Sequence, residues 1–327
     1  MSMYKYVIFI SFLFFSCEKN NSGLIDNNNQ IHFMICESSP VIDHKIKVMS
    51  FNRLNNTSLN SVSEVIEVIQ PDIIGLQESY DIGPQIADRF NYCFYGNPNT
   101  STAVLSRYPI EVVNEIQSKI FLTDSLYLNF FNIHLPAFPY QPYDIRDTLI
   151  TTPSQAIFQA EQTRGIESTN LVELVDATKH LSNMPIIVVG DFNEPSHLDW
   201  VIGAENPINF QIPGDSDEFV VEWPTSKKML DLSLIDTYRE IYLDPINYPG
   251  YTWTPFFNIN EVHDRIDYIY YIPHTVSDLS LDISPEELFS ITLESVSSFG
   301  PDNLSSIIIE NYESDHRGVL AIFELAF

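Results

Sequence analysis

Basic residues are scarce in this chain. Among 327 residues there are 16 lysines and arginines against 44 aspartates and glutamates, a formal charge of −28. A tight, non-specific grip on duplex nucleic acid needs clustered cations that displace phosphate counterions, so the composition argues against duplex nucleic acid as a tight partner. A nucleotide or nucleic-acid substrate held by a few local groups and metal ions stays compatible with it. Cysteine is scarcer still, with Cys17, Cys36 and Cys93 alone. None forms C-x-x-C, which excludes a zinc knuckle and a thioredoxin-type dithiol. Nothing in the sequence brings Cys36 to Cys93, and Cys93, in NYCFYG, reads as a small buried hydrophobe rather than half of a disulfide. Glycine numbers 11, and no two glycines have the spacing of G-x-G-x-x-G or of a G-x-S-x-G elbow. H-E-x-x-H is also missing. Dinucleotide binding, serine-elbow hydrolysis and zincin chemistry therefore lack their parts.

Past the N-terminus no apolar run is long enough to cross a bilayer. The start, MSMYKYVIFISFLFFSC, places Lys5 before an apolar run over residues 6–15, then Ser16 and Cys17. Residues 1–17 read as a signal peptide, too short for a permanent span. A cysteine directly after such a run resembles the lipobox of bacterial lipoproteins. The resemblance implies cleavage before Cys17, lipidation of Cys17 and attachment to a membrane through that lipid. Residues 18–43, polar and asparagine-rich at first, read as a tether. The expected location is the cell envelope, lipid-anchored in the outer membrane of a Gram-negative bacterium, or secretion.

What remains, residues 44–327, shows no internal repeat and no low-complexity linker, and reads as one domain. Apolar content of 44% suffices for a substantial core. Short runs rich in β-branched and aromatic residues read as buried strands over residues 46–51, 72–77, 102–106, 126–134, 186–190, 265–272 and 318–325. Helical spacing joins Leu59, Val62, Val65, Ile66 and Ile69 before Pro71, and a longer helix follows Pro153. Strands with helices between them predict a layered α/β domain.

Polar residues capable of acid–base or metal chemistry recur where these strands end. Asn52 closes the first, Glu78 the second, Asn132 and His134 another, and Asp191 and Asn193 follow IIVVG. Arg265 and Asp267 open a strand, and Asp315 and His316 precede the last. A carboxylate emerging from an apolar strand must be solvated, paired or metal-bound, because burying it alone is expensive. Residues two apart in a strand point to the same side, so three such pairs are expected to aim at one cleft.

The set resembles the endonuclease/exonuclease/phosphatase family. LQE, GDFN, RIDYI and SDH occur in the family's order, with LSRYPI as a structural match, and the resemblance runs from VMSFN to SDHRG. It implies an α/β/β/α sandwich of four layers, two mixed β-sheets face to face with helices outside. It implies Mg²⁺, or Mn²⁺, as cofactor, with Glu78, Asn52 and Asp315 around the metal. Asp191 is expected to align or deprotonate the attacking water, and Asn193 to hold the phosphate. His316 is expected to contact the phosphate or act in proton transfer, with Asp267 fixing its tautomer, and His134 to act as phosphate ligand or general acid. Such groups stabilise the charge that gathers on phosphoryl and leaving oxygens during in-line attack.

Substrate choice is set by loops. LPAFPYQPYDIRD, right after His134, offers Tyr140 and Tyr143 as substrate contacts, alongside Asn132 and Arg265; Trp253, Phe256 and Phe257 sit on a second rim loop. The expected activity is metal-dependent hydrolysis of a phosphodiester or phosphomonoester by a membrane-tethered enzyme outside the cytoplasm, with a phosphate-ester substrate and no protein partner inferred. The alternatives are an extracellular Mg²⁺-dependent nuclease, and a surface binding protein that keeps the fold without turnover.

Overall fold

Side-chain alternation in the strand Lys45–Asn52, β2, sets the layering. Its Ile46 and Val48 join one apolar cluster while Met49 and Phe51 join another. The strand is therefore covered on both faces, as a near-continuous apolar run requires. The computed structural model describes residues 33–34, 44–79, 82–97, 101–204, 219–256, 261–274 and 289–326. Residues from Ile31 to Phe327 form a single compact unit. The signal peptide, Cys17 and nearly all of the tether lie outside the described residues. Within that stretch, Phe33–Met34 forms a short strand, β1.

Two sheets face each other. The larger runs in the order β1, β4 (Cys93–Asn97), β5 (Thr102–Ser106), β3 (Ile73–Gln77), β2, β14 (Gly318–Ala326), β12 (Ser290–Gly300) and β13 (Ile307–Ile308). The smaller runs β10 (Ile235–Asp236), β11 (Asp267–Ile272), β9 (Ile186–Asp191), β8 (Tyr127–His134), β7 (Gln117–Phe121) and β6 (Ile110–Val112). Each holds parallel pairs, β2–β3 and β12–β13 in one and β8–β9 in the other, among antiparallel ones, so both are mixed. The central core lies between them: Ile46, Val48, Ile73 and Val104 from one sheet meet Leu128, Phe130, Ile187 and Val189 from the other.

Helices cover the outer faces. α1 (Leu59–Ile69) starts at Ser58, whose hydroxyl accepts from Ser61 N, and lays Val62, Val65, Ile66 and Ile69 on the larger sheet. α2 (Gly83–Phe90) packs beside it. On the far side α4 (Pro153–Leu181), introduced by the Thr152 cap and a proline in its first turn, presses Leu171 and Val175 onto the smaller sheet. α3 (Gln141–Arg146), α5 (Pro224–Asp231) and α6 (Thr237–Ile241) complete the described helices. The architecture is the expected sandwich of four layers.

Gly75 shows how closely the sheets approach: a Cβ there would lie 2.3 Å from Val189 Cγ2. Gly190, with φ +153°, has Ile133 O where a Cβ would stand, 2.2 Å away. Only glycine fits this backbone, and it delivers Asp191 to the strand's end.

Cys93 corrects the sequence reading. It is disulfide-bonded, not a free buried thiol; the other two cysteines lie outside the described residues. Among the described residues no helix is long and apolar enough to cross a membrane.

Candidate active site between the two sheets

The inward-facing stripe of several strands turns polar at one end. In β9 the core residues Ile187 and Val189 lead to Asp191, in β8 Leu128 and Phe130 lead past Asn132 to His134, and in β11 Tyr271 and Ile269 lead back to Asp267. Register sets them abreast, with His134 opposite Asp191 and Asp267 opposite Asp191. From the other sheet β2 brings Asn52, which pairs with Gln77, and Glu78 follows β3 with φ +54°. His316 arrives two residues before β14, its turn set by Ser314, whose hydroxyl accepts from His316 N and donates to Asn52 O.

These groups converge on Asp191, which is 1% exposed. Its Oδ1 accepts from Asn193 N at 2.8 Å. Its Oδ2 accepts from Asn52 Nδ2 at 2.9 Å and Asn193 Nδ2 at 3.1 Å, with His134 Nε2 at 3.6 Å and His316 Nε2 at 3.8 Å. Burial pushes this carboxyl above its ordinary range, while the charge of His316 opposes the rise. Asp267 Oδ2 lies 2.9 Å from His316 Nδ1. Burial works against the imidazolium, but Asp267 and Asp191 outweigh it and raise His316 to about 10. The hydrogen bond at Nδ1 leaves Nε2 facing the cleft. His134 is held the same way by Ser101 Oγ, 3.1 Å from its Nδ1.

Glu78 Oε2 accepts from Asn55 N at 2.9 Å. Burial, with Glu78 adding to it, pushes Asp315 up against the opposing charge of His316. Asp315 Oδ1 is buried with no hydrogen-bond partner. Two carboxylates lining one cleft, with an oxygen left over, suit a hard divalent cation, and the residues fit one. Ligand atoms of Asp191, Asp267 and His316 also lie within 4.8 Å of one another, although the Nδ1–Oδ2 hydrogen bond engages two of them.

A cleft of about 260 Å³ opens over this cluster. Glu78, His134, Asp191, Asn193, Asp315 and His316 line it together with Ala137, Phe138, Tyr140, Tyr143, Trp253 and Ile266. The Trp253 ring meets His316 edge to face at 5.0 Å.

Several expected roles change. Asn132 does not reach the cleft: its oxygen accepts from Gln77 Nε2 at 2.7 Å, and its amide donates to Leu76 O and Ala103 O, stitching one sheet to the other. Arg265 is buried against Asp199 and Asp236, bonded to both, because β11 begins at Asp267 and the alternation expected to aim both residues at the cleft does not extend to 265. Asn52 turns its oxygen to Leu54 N and its amide to Glu78 and Asp191, and so positions both carboxylates. Asn193, which lines the cleft, donates its amide to Leu135 O and Asp191 Oδ2. Tyr140 donates its hydroxyl to Asp264 Oδ2, and Tyr143 donates to Glu261 while accepting from Trp253 Nε1, so both present rings rather than hydroxyls to the cleft.

Sequence reasoning missed Ser101, Ser314 and Thr252, whose hydroxyl accepts from Ile266 N and Asp267 N. Small hydroxyl residues beside motifs carry no signal of their own. Arg164 is buried, donating to Gln141 Oε1, Ala137 O and Pro139 O beneath the loop that follows His134.

A family model described as the Endonuclease/Exonuclease/phosphatase family matches residues 49–316. An uncharacterized protein of Caenorhabditis elegans, F14F9.5, is 28% identical over 258 residues, spanning 69% of this chain and 78% of its own. A 3′-5′ exonuclease from Neisseria meningitidis superposes with a TM-score of 0.49 at 17% identity, over 86% of this chain and 100% of that one. An endonuclease/exonuclease/phosphatase from Beutenbergia cavernae gives 0.49 at 14% identity, over 86% and 72% of the two chains.

Proposed function

The chain belongs to the endonuclease/exonuclease/phosphatase family, and from that premise we propose that it is a divalent-metal-dependent phosphoesterase working outside the cytoplasm. Members of the family are hydrolases of phosphoesters. The observation that carries the finer reading is the convergence of two imidazole Nε2 atoms and two carboxamides on one buried oxygen, Asp191 Oδ2.

Mg²⁺ or Mn²⁺, held by Glu78 and Asp315, would supply positive charge to the phosphoryl oxygens. Asp191 orients the attacking water and accepts its proton; a carboxyl raised by burial is the better base near neutral pH. Asn52 and Asn193 keep that carboxylate in place. His316, charged and fixed by Asp267, donates from Nε2 to a phosphoryl oxygen. His134, fixed at Nδ1 by Ser101, protonates the leaving oxygen from Nε2. The Trp253 ring and the loop carrying Phe138 limit water on the other side of the cleft.

The extracytoplasmic part rests on residues 1–17, on the cysteine that ends them and on the disulfide at Cys93, since disulfides persist in oxidising compartments. The reading is a lipoprotein anchored through Cys17 in the cell envelope, at the outer membrane of a Gram-negative bacterium, or a secreted enzyme.

The test uses purified full-length protein with Mg²⁺ and bis(p-nitrophenyl) phosphate. Asp191→Ala and His316→Ala each lower kcat by about 10² or more with unchanged circular dichroism, and EDTA abolishes turnover until Mg²⁺ is restored. Full activity in either variant ends the assignment.

A further inference from the structure

The cleft contains no lysine or arginine among its described lining residues. The cations of the whole chain are few, 16 in number. Lys45 pairs with Glu294, Arg89 with Glu67, Arg107 with Asp72, Lys119 with Glu111, Arg146 with Asp147, Lys227 with Glu222 and Lys228 with Glu161. Arg239 and Arg265 share Asp199, and Arg317 pairs with Asp302. Arg53, Arg164, Lys47 and Lys179 donate to backbone carbonyls. The internal segments outside the described residues, 80–81, 98–100, 205–218, 257–260 and 275–288, have no lysine or arginine in their sequence. The last two cations, Lys5 and Lys19, belong to the signal peptide and tether.

Beside the catalytic groups the rest of the lining is apolar and aromatic. Phe138 stands 73% exposed at its rim, and Tyr140 and Tyr143 have committed their hydroxyls to Asp264 and Glu261. An anion placed along this lining meets aromatic rings and the Glu261 carboxylate that accepts from Tyr143, while Arg146, 4.6 Å over the Tyr143 ring, is itself paired with Asp147. A flat, uncharged ring stacks there at low cost.

We infer that the cleft takes a phosphodiester whose reacting phosphate is its sole anionic group and whose alcohol is uncharged and ring-bearing, and that it discriminates against substrates carrying a second phosphate. The inference rests on the phosphoesterase reading and narrows it: polymeric nucleic acid and polyphosphorylated sugars fall outside the substrate class.

Two probes separate the possibilities, thymidine 5′-(p-nitrophenyl phosphate) and the same molecule with a 3′-phosphate. Each releases p-nitrophenolate as water adds to the 5′-phosphorus. At low ionic strength kcat/KM for the singly phosphorylated ester exceeds that of its counterpart by about tenfold or more, the scale expected of like charges meeting at a site. The ratio shrinks in about 0.5 M KCl, where exposed charges are screened. Phe138→Lys raises kcat/KM for the 3′-phosphorylated ester selectively. Equal kcat/KM for the two esters, or a ratio that neither salt nor Phe138→Lys moves, overturns the inference. So does turnover of bis(p-nitrophenyl) phosphate with neither thymidine ester, an outcome that leaves the phosphoesterase reading standing. Absence of turnover on all three compounds ends both.

Discussion

Asp191 Oδ2 shows how much one atom's surroundings decide. Alone, a carboxylate at 1% exposure is costly; with two carboxamide donors and two imidazoles around it, it becomes a proton acceptor of fixed direction. Asp264 presents the same physics away from the reaction. It is buried, accepts from Tyr140 at 2.7 Å and Trp200 Nε1 at 2.9 Å, and burial raises it to about 7 in spite of those donors. Because the folded value lies above the unfolded value near 4, its contribution to stability is fully present below about pH 4. It is lost as pH rises to about 7. Chemical denaturation of Asp264→Asn across that window should show a smaller decline than the parent. A decline of equal size in both proteins would place the cause elsewhere.

At the scale of elements, the site depends on how few residues hold its loops to the framework. Arg164 reaches from α4 to three acceptors under the loop after His134, and its Nη1 lies 4.0 Å from Glu194 Oε2, just past the GDFN turn. Arg164→Met strands a buried carboxylate and frees that loop. The expected loss is roughly 3 kcal/mol or more in urea unfolding, together with a fall in kcat greater than any rise in KM. Lysine at this position restores little, since a single ammonium lacks the planar fork. Gly75 is the matching constraint between sheets. Gly75→Ala forces Val189 aside in a packed interior, with an expected cost of about 1–3 kcal/mol, read from the denaturation midpoint. Parental stability in that variant would mean that the sheets slide apart more easily than their packing suggests.

At the scale of the whole molecule, the chain is strongly negative and no lysine or arginine stands among the cleft's described lining residues. The N-terminal reading is tested by partition. If Cys17 carries the lipid, the protein enters the detergent phase of Triton X-114 and Cys17→Ala moves it to the aqueous phase, with kcat on bis(p-nitrophenyl) phosphate unchanged. Detergent partition of the alanine variant would exclude Cys17 as the anchor.

The strands that carry the chemistry were legible because each is a short apolar run broken by a polar residue: IIVVG before Asp191, and LYLNFFNIH ending at His134. β12 was not, because SITLESVSSFG alternates with serine and offers no apolar run, although its burial by β14 makes it a long interior strand. Asp191, Asp267, His134 and His316 were readable as residue types at strand ends. Their joint arrangement around one oxygen was not, because register and sheet stacking are decided by contacts between distant segments. The same limit explains the corrections. Spacing placed Asn132 on the inner side of its strand but not how far from the end the opposing sheet closes, and Gln77 covers it. The sequence determined the apolar periodicity, the available chemical groups and the shortage of cations, which are local or compositional. Only the packing of two sheets decided which of those groups share a cleft and which are absorbed in holding it together, because burial and hydrogen-bond partners are properties of the folded whole.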